Sequence, residues 1–248
     1  MIKEFFYPSA GGGQIHGCCW YPEGKPAAVF QIVHGITEYA MRYDPFARYL
    51  NGLGYLVVAE DHMGHGQSVE NGFFGHFEGG WSAAVADTYE LFRRTREEYP
   101  DVPYILMGHS MGSFMVRKIL CDYPDSGIDR VILTGSGWYP KGLMAMGIGY
   151  ASLCPQKKPS ALILHAAFGT GNRRIENPKS AYDWICRDEA VARAFGEDPL
   201  CKFSPTAGMM KNMMQGILYM ERWKHLRRMK KDLPVLFLSG EAVSRCTS

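Results

Sequence analysis

One serine in this sequence has neighbours that suit nucleophilic chemistry. Ser110 is the centre of Gly108-His109-Ser110-Met111-Gly112, a G-x-S-x-G pattern; the alternative is a chance match in a chain with 28 glycines. A predicted strand ends directly before the pattern and a predicted helix begins inside it, as in a nucleophile elbow. Such a turn exposes the serine Oγ, and the amide end of the helix favours negative charge. We therefore predict that Ser110 is a nucleophile and that Gly108, His109 and Gly112 form its elbow.

A second turn, His34-Gly35-Ile36-Thr37-Glu38, follows an apolar strand nearer the N-terminus. In enzymes with a nucleophile elbow, the turn after this early strand supplies one of the two amides of the oxyanion hole. We expect the backbone N–H groups of Ile36 and Met111 to be these donors. His34 is expected to be a hydrogen-bonded turn residue and not a proton carrier.

A third turn, Asp61-His62-Met63-Gly64-His65-Gly66-Gln67-Ser68, follows the next predicted strand. A phosphate-binding loop and a metal site are two alternatives, but the glycine spacing is not that of a P-loop and no lysine follows. His62 and His65 also lack a convergent pattern of carboxylates or cysteines, so no metal is expected. We predict a structural loop beside the active site.

These three turns occur in an order that resembles a known family. His34-Gly35-x-x-Glu38, Asp61-His62-Met63-Gly64-His65-Gly66-x-Ser68 and Gly108-His109-Ser110-Met111-Gly112-Ser113 are similar to motifs of the monoacylglycerol lipase and lysophospholipase branch of the α/β-hydrolase superfamily, often labelled serine aminopeptidase-like. Segments 181–189 and 198–201 resemble the cap of its bacterial members. The resemblance implies hydrolysis of small lipid-like carboxylic esters through an acyl-enzyme on Ser110. It also implies a Ser-His-Asp triad and neither a metal nor an organic cofactor.

The segments around these turns alternate between strand and helix patterns. The alternation predicts an α/β fold with a mostly parallel sheet and helices on both faces. From about residue 141 to 228 the strand pattern stops, which predicts a helical insertion after the sixth strand. The expected domains are a hydrolase core at 1–139 and 230–248 and a helical cap at 140–229. The predicted strands are 2–7, 14–20, 27–33, 55–59, 104–107, 130–134 and 233–238.

The resemblance also implies a catalytic acid shortly after the last of these strands and a histidine further on. The sequence has Val243 where the acid is expected, Glu241 is offset by two residues, and residue 248 is the last. The family's final strand, its final helix and the loop with the catalytic histidine are therefore expected to be missing. We hypothesise a frameshift, an early stop or a truncated gene.

No other histidine is expected to replace the missing base. His109 lies next to Ser110, but the residue before the serine of an elbow points elsewhere. His165 and His225 lie in the cap and are expected to be surface or packed residues. Because a serine without a base is a poor nucleophile, the alternative function is a non-catalytic hydrolase-fold remnant that binds apolar ligands.

The composition sets the broad class of protein. The 248 residues carry 27 basic and 25 acidic side chains, and a net charge of +2 offers no general field for nucleic acid. No apolar run is long enough to cross a bilayer, and the N-terminus lacks the pattern of a secretory signal. The seven cysteines, at 18, 19, 121, 154, 186, 201 and 246, are odd in number and scattered without CxxC spacing. This pattern argues against a disulfide framework or a zinc site and favours reduced thiols in the cytoplasm.

Three parts of the chain are expected to meet a membrane, a substrate or a second chain. The basic cluster around Trp223 is expected either to contact anionic lipid headgroups at a membrane or to be a solvated helix face. The Met-rich segment 209–220 either lines an apolar tunnel for acyl chains or packs the cap on its own helices. Strand 234–238 is expected to be an exposed sheet edge that pairs with a second chain. The basic cluster consists of Arg222, Lys224, Arg227, Arg228, Lys230 and Lys231.

Overall fold

The computed structural model describes residues 1–169 and 171–240. Within these ranges, no helix combines the length with the hydrophobicity that a membrane crossing requires. The strands are β1 (Ile2–Pro8), β2 (Gln14–Trp20), β3 (Ala28–Val33), β4 (Tyr55–Glu60), β5 (Tyr104–His109), β6 (Arg130–Thr134) and β7 (Val235–Leu238). The α-helices are α1 (Asp44–Gly52), α2 (Gly80–Glu98), α3 (Met111–Asp122), α4 (Lys141–Leu153), α5 (Ala161–Phe168), α6 (Glu189–Glu197), α7 (Ala207–Met220) and α8 (Trp223–Leu226). Short 3₁₀ turns lie at Ala40–Tyr43, Gly66–Ser68 and Gly171–Arg174.

The seven strands form one sheet in the order β1-β2-β4-β3-β5-β6-β7. β1 and β2 form an antiparallel hairpin, and β2 also pairs antiparallel with β4. The remaining pairs, from β4 through β3, β5 and β6 to β7, are all parallel. Each parallel connection passes through at least one helix, as parallel pairing requires. The predicted α/β fold with a mostly parallel sheet and flanking helices is confirmed.

Alternating residues of β3 show how the sheet separates two layers of core. Val29 and Val33 pack in the main core, on the side that carries α2, α3 and part of α7. Phe30 and Ile32 pack on the opposite side, against α1. Both faces of the strand are apolar because helices cover both, as is usual in parallel sheets. β3 is therefore fixed from two sides up to the point where the His34 turn begins.

The chain between β6 and β7 forms helices α4 to α8, and we call residues 141–226 the helical segment. α7 joins this segment to the rest of the fold. Its Met209 and Met220 lie in the main core with α2 and α3, whereas Met210 and Met214 pack against α4 and α5. All four side chains are buried. In the Met-rich segment, these four methionines therefore have the packing role, which is one of the two roles expected from the sequence.

β7 forms one edge of the sheet in the part of the chain that the structure describes. Its residues Val235 to Leu238 are all exposed, and Phe237 reaches 66%. Two clefts of about 460 and 380 Å³, lined mainly by apolar side chains, lie beside the strand. Residues 241–248, which include Glu241 and Val243, lie outside the described residues.

Candidate active site

The backbone turns sharply at Ser110, between the end of β5 at His109 and the start of α3 at Met111. Ser110 has φ +50° and ψ −116°, a conformation that residues other than glycine rarely adopt. Its N–H donates a hydrogen bond of 2.9 Å to the carbonyl of Thr134, at the end of the neighbouring β6. Strain of this kind persists only where the surrounding structure holds it, and it is typical of a nucleophile elbow.

Two glycines are required where the elbow passes next to other backbone. A Cβ on Gly112 would lie 2.1 Å from the carbonyl oxygen of Val33 and 2.5 Å from that of His34. A Cβ on Gly108 would lie 2.6 Å from the carbonyl oxygen of Gly112. Only glycine fits at either position, because the backbone oxygens have no room to move away. As a result, the first turn of α3 lies in direct contact with the end of β3.

The turn after β3 lies against Ser110. A Cβ on Gly35 would be 3.2 Å from the Ser110 Cβ, so the two residues are close neighbours. The side chain of Glu38 folds back over the turn, and its Oε1 accepts a hydrogen bond of 2.5 Å from the Gly35 N–H. Ile36 packs between the main core and the helical segment, and Met111 is buried. The two residues predicted to supply the oxyanion donors therefore adjoin the contact between Gly35 and Ser110.

Three buried histidines, His34, His62 and His65, pack against one another at this turn. His34 Nε2 accepts a hydrogen bond of 3.0 Å from the His62 N–H, so its proton is on Nδ1, which donates to the Gly35 carbonyl at 2.7 Å. His62 Nε2 donates to the carbonyl of His34 at 3.0 Å. Burial, followed by the proximity of His62, lowers the pKa of His34 well below its ordinary value, and burial lowers the pKa of His65 to about 3. His34 and His65 are neutral at pH 7, which supports a structural role for this cluster.

A single carboxylate organises the loop after β4. Asp61 Oδ1 accepts a hydrogen bond of 2.7 Å from the Ala40 N–H. Its Oδ2 accepts one of 2.8 Å from the Gln67 N–H and lies 2.9 Å from His16 Nδ1. A Cβ on Gly66 would lie 2.2 Å from Asp61 Oδ2, so glycine is needed there. The loop is therefore built around Asp61, a dependence that the spacing of the motif does not reveal.

The ring of His109 is hydrogen-bonded to a residue other than the nucleophile. Its Nδ1 lies 2.7 Å from Thr134 Oγ1. All eight histidines of the sequence fall within the described residues, and no hydrogen bond joins any of them to Ser110 in this part of the chain. His165 is exposed on α5, and His225 is buried in α8. In the described residues, Ser110 therefore has the backbone geometry of a nucleophile, but no histidine is hydrogen-bonded to it as a base.

Two residues support the elbow although no catalytic role is predicted for them. Thr134 binds both the Ser110 N–H and the ring of His109. Glu38 binds Gly35, and its Oε1 lies 4.0 Å from His109 Nε2. Glu38 is part of the second sequence motif, so the sequence itself draws attention to this residue. Thr134 is only the last residue of a strand, and its contact depends on the pairing of β5 with β6.

A strained serine between a parallel strand and a helix, with a second turn against it, defines the chain as an α/β-hydrolase. The family model described as serine aminopeptidase, S33, matches residues 24–243. The chain belongs to that family.

The chain is also similar to proteins that are named monoglyceride lipase or monoacylglycerol lipase. It is 39% identical over 117 residues to the monoglyceride lipase of Mus musculus, a match covering 47% of this chain and 37% of the relative. It is 35% identical over 199 residues to the monoacylglycerol lipase of Mycolicibacterium smegmatis, covering 80% of this chain and 65% of the relative. The matches thus span less than two thirds of the length of either relative.

Solved structures share the fold. A thermostable carboxyl esterase from Bacillus coagulans gives a TM-score of 0.81 at 25% identity, covering 94% of this chain and 78% of the esterase. A soluble variant of monoglyceride lipase from Saccharomyces cerevisiae gives a TM-score of 0.74 at 17% identity, covering 97% and 76%. These similarities confirm the α/β-hydrolase fold expected from the sequence.

We expect Gly112→Ala to destabilise the protein. The added Cβ would overlap the Val33 carbonyl oxygen, and overpacking of this kind costs about 3 kcal/mol in the free energy of unfolding. Urea unfolding measures the cost, with Gly149→Ala as the matched control. No atom lies within 4 Å of a Cβ on Gly149, which is in α4, so this variant should gain up to about 1 kcal/mol of helix propensity. Equal stability of the two variants would contradict the contact.

Proposed function

We propose that this chain is a serine ester hydrolase for small lipid-like carboxylic esters such as monoacylglycerols and lysophospholipids. The observation that carries the proposal is the contact between the strained Ser110 and the Gly35 turn, which suits a nucleophile beside an oxyanion hole. The names of the mouse and mycobacterial relatives support the same substrate class. A non-catalytic hydrolase-fold protein that binds apolar ligands is the second candidate, because no described histidine is bonded to Ser110.

In the proposed reaction, Ser110 Oγ attacks the ester carbonyl carbon and the alcohol leaves, giving an acyl-enzyme that water then hydrolyses. The N–H groups of Ile36 and Met111 donate to the oxyanion, and the positive end of α3 adds to their effect. One such donor contributes about 10²–10³ in kcat. The Ser110 hydroxyl proton passes to the leaving oxygen as the alcohol departs, and water later returns a proton to Ser110 Oγ. The resemblance assigns both transfers to a histidine oriented by an acid, and the sequence has Val243 at the acid position. No step requires a metal or an organic cofactor.

We infer that residues 140–229 form a cap over a core made of the remaining residues. Two contacts join this cap to the chain just after the oxyanion turn. The Tyr39 hydroxyl donates to Asp198 Oδ2 at 2.8 Å, and the Arg42 guanidinium carbon lies 4.7 Å from the centroid of the Phe195 ring. These contacts support a cap whose apolar helices lie beside the site, as an acyl chain would require.

A fluorophosphonate probe tests the proposal, because it bonds covalently to an activated serine. We expect the intact mass of the wild type to increase by one probe, and we expect no increase for Ser110→Ala. Ser136→Ala is the matched control, since the Ser136 hydroxyl, just after β6, has no hydrogen-bond partner in the described residues. This control should still be labelled. A folded wild type that takes up no probe would contradict the esterase and favour the non-catalytic candidate.

We also propose a reducing location such as the cytoplasm. The six cysteines within the described residues are all free, and free thiols persist where glutathione and thioredoxin keep them reduced. The same intact-mass measurement, made without reductant, checks this point. A loss of two hydrogens for each disulfide formed would contradict it.

We further propose that the helical segment, together with the basic cluster that extends to Lys231, contacts a lipid surface. Leu153 and Met146 on α4 and Leu162 on α5 are exposed, with Leu153 at 86%. Trp223 is exposed as well, and so are all six residues of the basic cluster around it. Exposed apolar side chains together with cations are the combination that binds anionic membrane surfaces.

Removing charge from the basic cluster should weaken binding to anionic vesicles. Arg222→Gln with Lys224→Gln removes two cations next to Trp223, and each should lower the partition coefficient about fivefold, because a cation near an anionic surface contributes about 1 kcal/mol. Co-sedimentation with phosphatidylcholine vesicles that contain phosphatidylserine measures the effect. Lys3→Gln with Lys25→Gln removes the same charge from exposed sites outside the helical segment and should not alter binding. Equal binding of the two double variants would refute the contact.

We propose, finally, that β7 pairs with β7 of a second copy of the chain. An edge strand presents unpaired N–H and C=O groups, and an exposed apolar edge tends to pair with another. The four exposed side chains of β7 are apolar, and the clefts beside the strand are lined mainly by apolar groups. A two-fold axis between two such edges would make one continuous sheet and bury the same surface on both copies.

A lysine on this edge should prevent the pairing. We expect the wild type to sediment as a dimer and Leu236→Lys to sediment as a monomer, because charged lysine disfavours edge pairing. Leu53→Lys is the matched control, since Leu53 at the end of α1 is 54% exposed and Leu236 is 51% exposed. Sedimentation velocity at several concentrations distinguishes the states. A wild type that stays monomeric, or a Leu236→Lys variant that stays dimeric, would exclude this interface.

A further inference from the structure

Outside the proposed active site, three metal-binding atoms meet where β1 pairs with β2. Glu4 is directly opposite Cys18 in the antiparallel register, and His16 lies two residues before Cys18 on the same face of β2. Glu4 Oε2, His16 Nε2 and Cys18 Sγ all lie within 4.8 Å of one another. Side chains directly opposite in a sheet stay close because the register fixes them. The cluster is therefore held by two paired strands and not by a loop.

Asp61 sets the orientation of the His16 ring. Its Oδ2 lies 2.9 Å from His16 Nδ1, and the same oxygen is held by the Gln67 N–H. A carboxylate on one ring nitrogen is the usual companion of a metal-binding histidine, because it fixes the ring and directs the other nitrogen to the metal. Accordingly, His16 Nε2 lies 2.8 Å from Glu4 Oε2 and 3.9 Å from Cys18 Sγ.

We propose that Glu4, His16 and Cys18 bind Zn²⁺, with water or the Gln67 amide oxygen as the fourth ligand. Zn²⁺ takes tetrahedral sets of thiolate, imidazole and carboxylate, whereas Mg²⁺ and Ca²⁺ prefer oxygen alone. The Gln67 amide lies 3.0 Å from Glu4 Oε2 and 3.4 Å from His16 Nε2 through its nitrogen. Rotating the amide by half a turn would present its oxygen to the same place.

Metal binding at this site replaces protons. The Cys18 thiol releases its proton and becomes a thiolate, and any proton between His16 Nε2 and Glu4 leaves as well, so that both atoms donate lone pairs to Zn²⁺. In the absence of metal, burial raises the pKa of the Cys18 thiol well above its ordinary value, which makes it inert as a free thiol. A bound cation reverses that preference, because a coordinating thiol is deprotonated.

The site would join the edge strand β1 to β2 and, through Asp61, to the loop after β4. His16 and Cys18 are fully buried, while the side chain of Glu4 is 47% exposed and leaves a path from solvent. This is the position of a structural metal that fastens an edge of the sheet. It is independent of Ser110 and of the ester hydrolysis proposed above.

Co²⁺ substitution tests the thiolate ligand directly, because cobalt–thiolate bonds give an intense near-ultraviolet charge-transfer absorption. We expect wild type to develop this absorption with one equivalent of Co²⁺ and Cys18→Ala to lose it. Cys19→Ala is the matched control, since Cys19 is also buried but packs in the main core on the other face of β2. It should keep the absorption. Absence of the absorption in wild type, or its retention in Cys18→Ala, overturns the proposal.

Glu4→Gln keeps the proposal testable should Cys18→Ala fail to fold, because Glu4 lies at the surface. We expect the Zn²⁺ dissociation constant, measured by competition with a chromophoric chelator, to rise at least about tenfold. The increase in Tm that Zn²⁺ gives the wild type should shrink in parallel. Glu23→Gln removes an exposed carboxylate elsewhere and should bind like wild type. Equal Zn²⁺ affinity of these two variants overturns the site.

Discussion

The contact between the first turn of α3 and the end of β3 is the constraint on which the candidate site depends. Gly112 touches the carbonyl oxygens of Val33 and His34, an approach that any side chain would prevent. Because of this approach, Gly35 lies against Ser110, and the first turn of α3, the positive end of the helix dipole, lies next to the same turn. Moving α3 outward by the width of a methyl group would separate the serine from the turn even if every strand stayed in place.

Behind this contact, buried polar groups hold the turns in place. His34 and His62 bind each other's backbone, and Asp61 binds the Ala40 N–H, so the turn after β3 is joined to the loop after β4. Burying such groups costs desolvation, and the lowered pKa of His34 shows that its neutral form is the one that fits. A satisfied buried network is also rigid. Such rigidity would suit the oxyanion donors proposed above, since donors of this kind act only if they are in position before charge develops.

The local sequence pattern predicts the strands and the elbow well, because both depend on residues close together in the chain. β2 and β6 begin and end where the hydrophobic pattern places them, at Gln14–Trp20 and Arg130–Thr134. The strained turn falls at Ser110, where the G-x-S-x-G pattern predicts it. β7 begins at Val235, two residues later than predicted, because Pro234 has no N–H to give to the sheet.

The spacing of motifs along the sequence does not predict contacts that depend on strand register. Glu4 and Cys18 are fourteen positions apart and meet only because the β1–β2 hairpin places them opposite each other. Asp61 reaches His16 from the end of a third strand, β4, which pairs with β2. A slip of one residue in the β1–β2 register would turn Glu4 to the other face of the sheet. For this reason the cysteine spacing argues against a zinc site, whereas the folded sheet brings three candidate metal-binding atoms together.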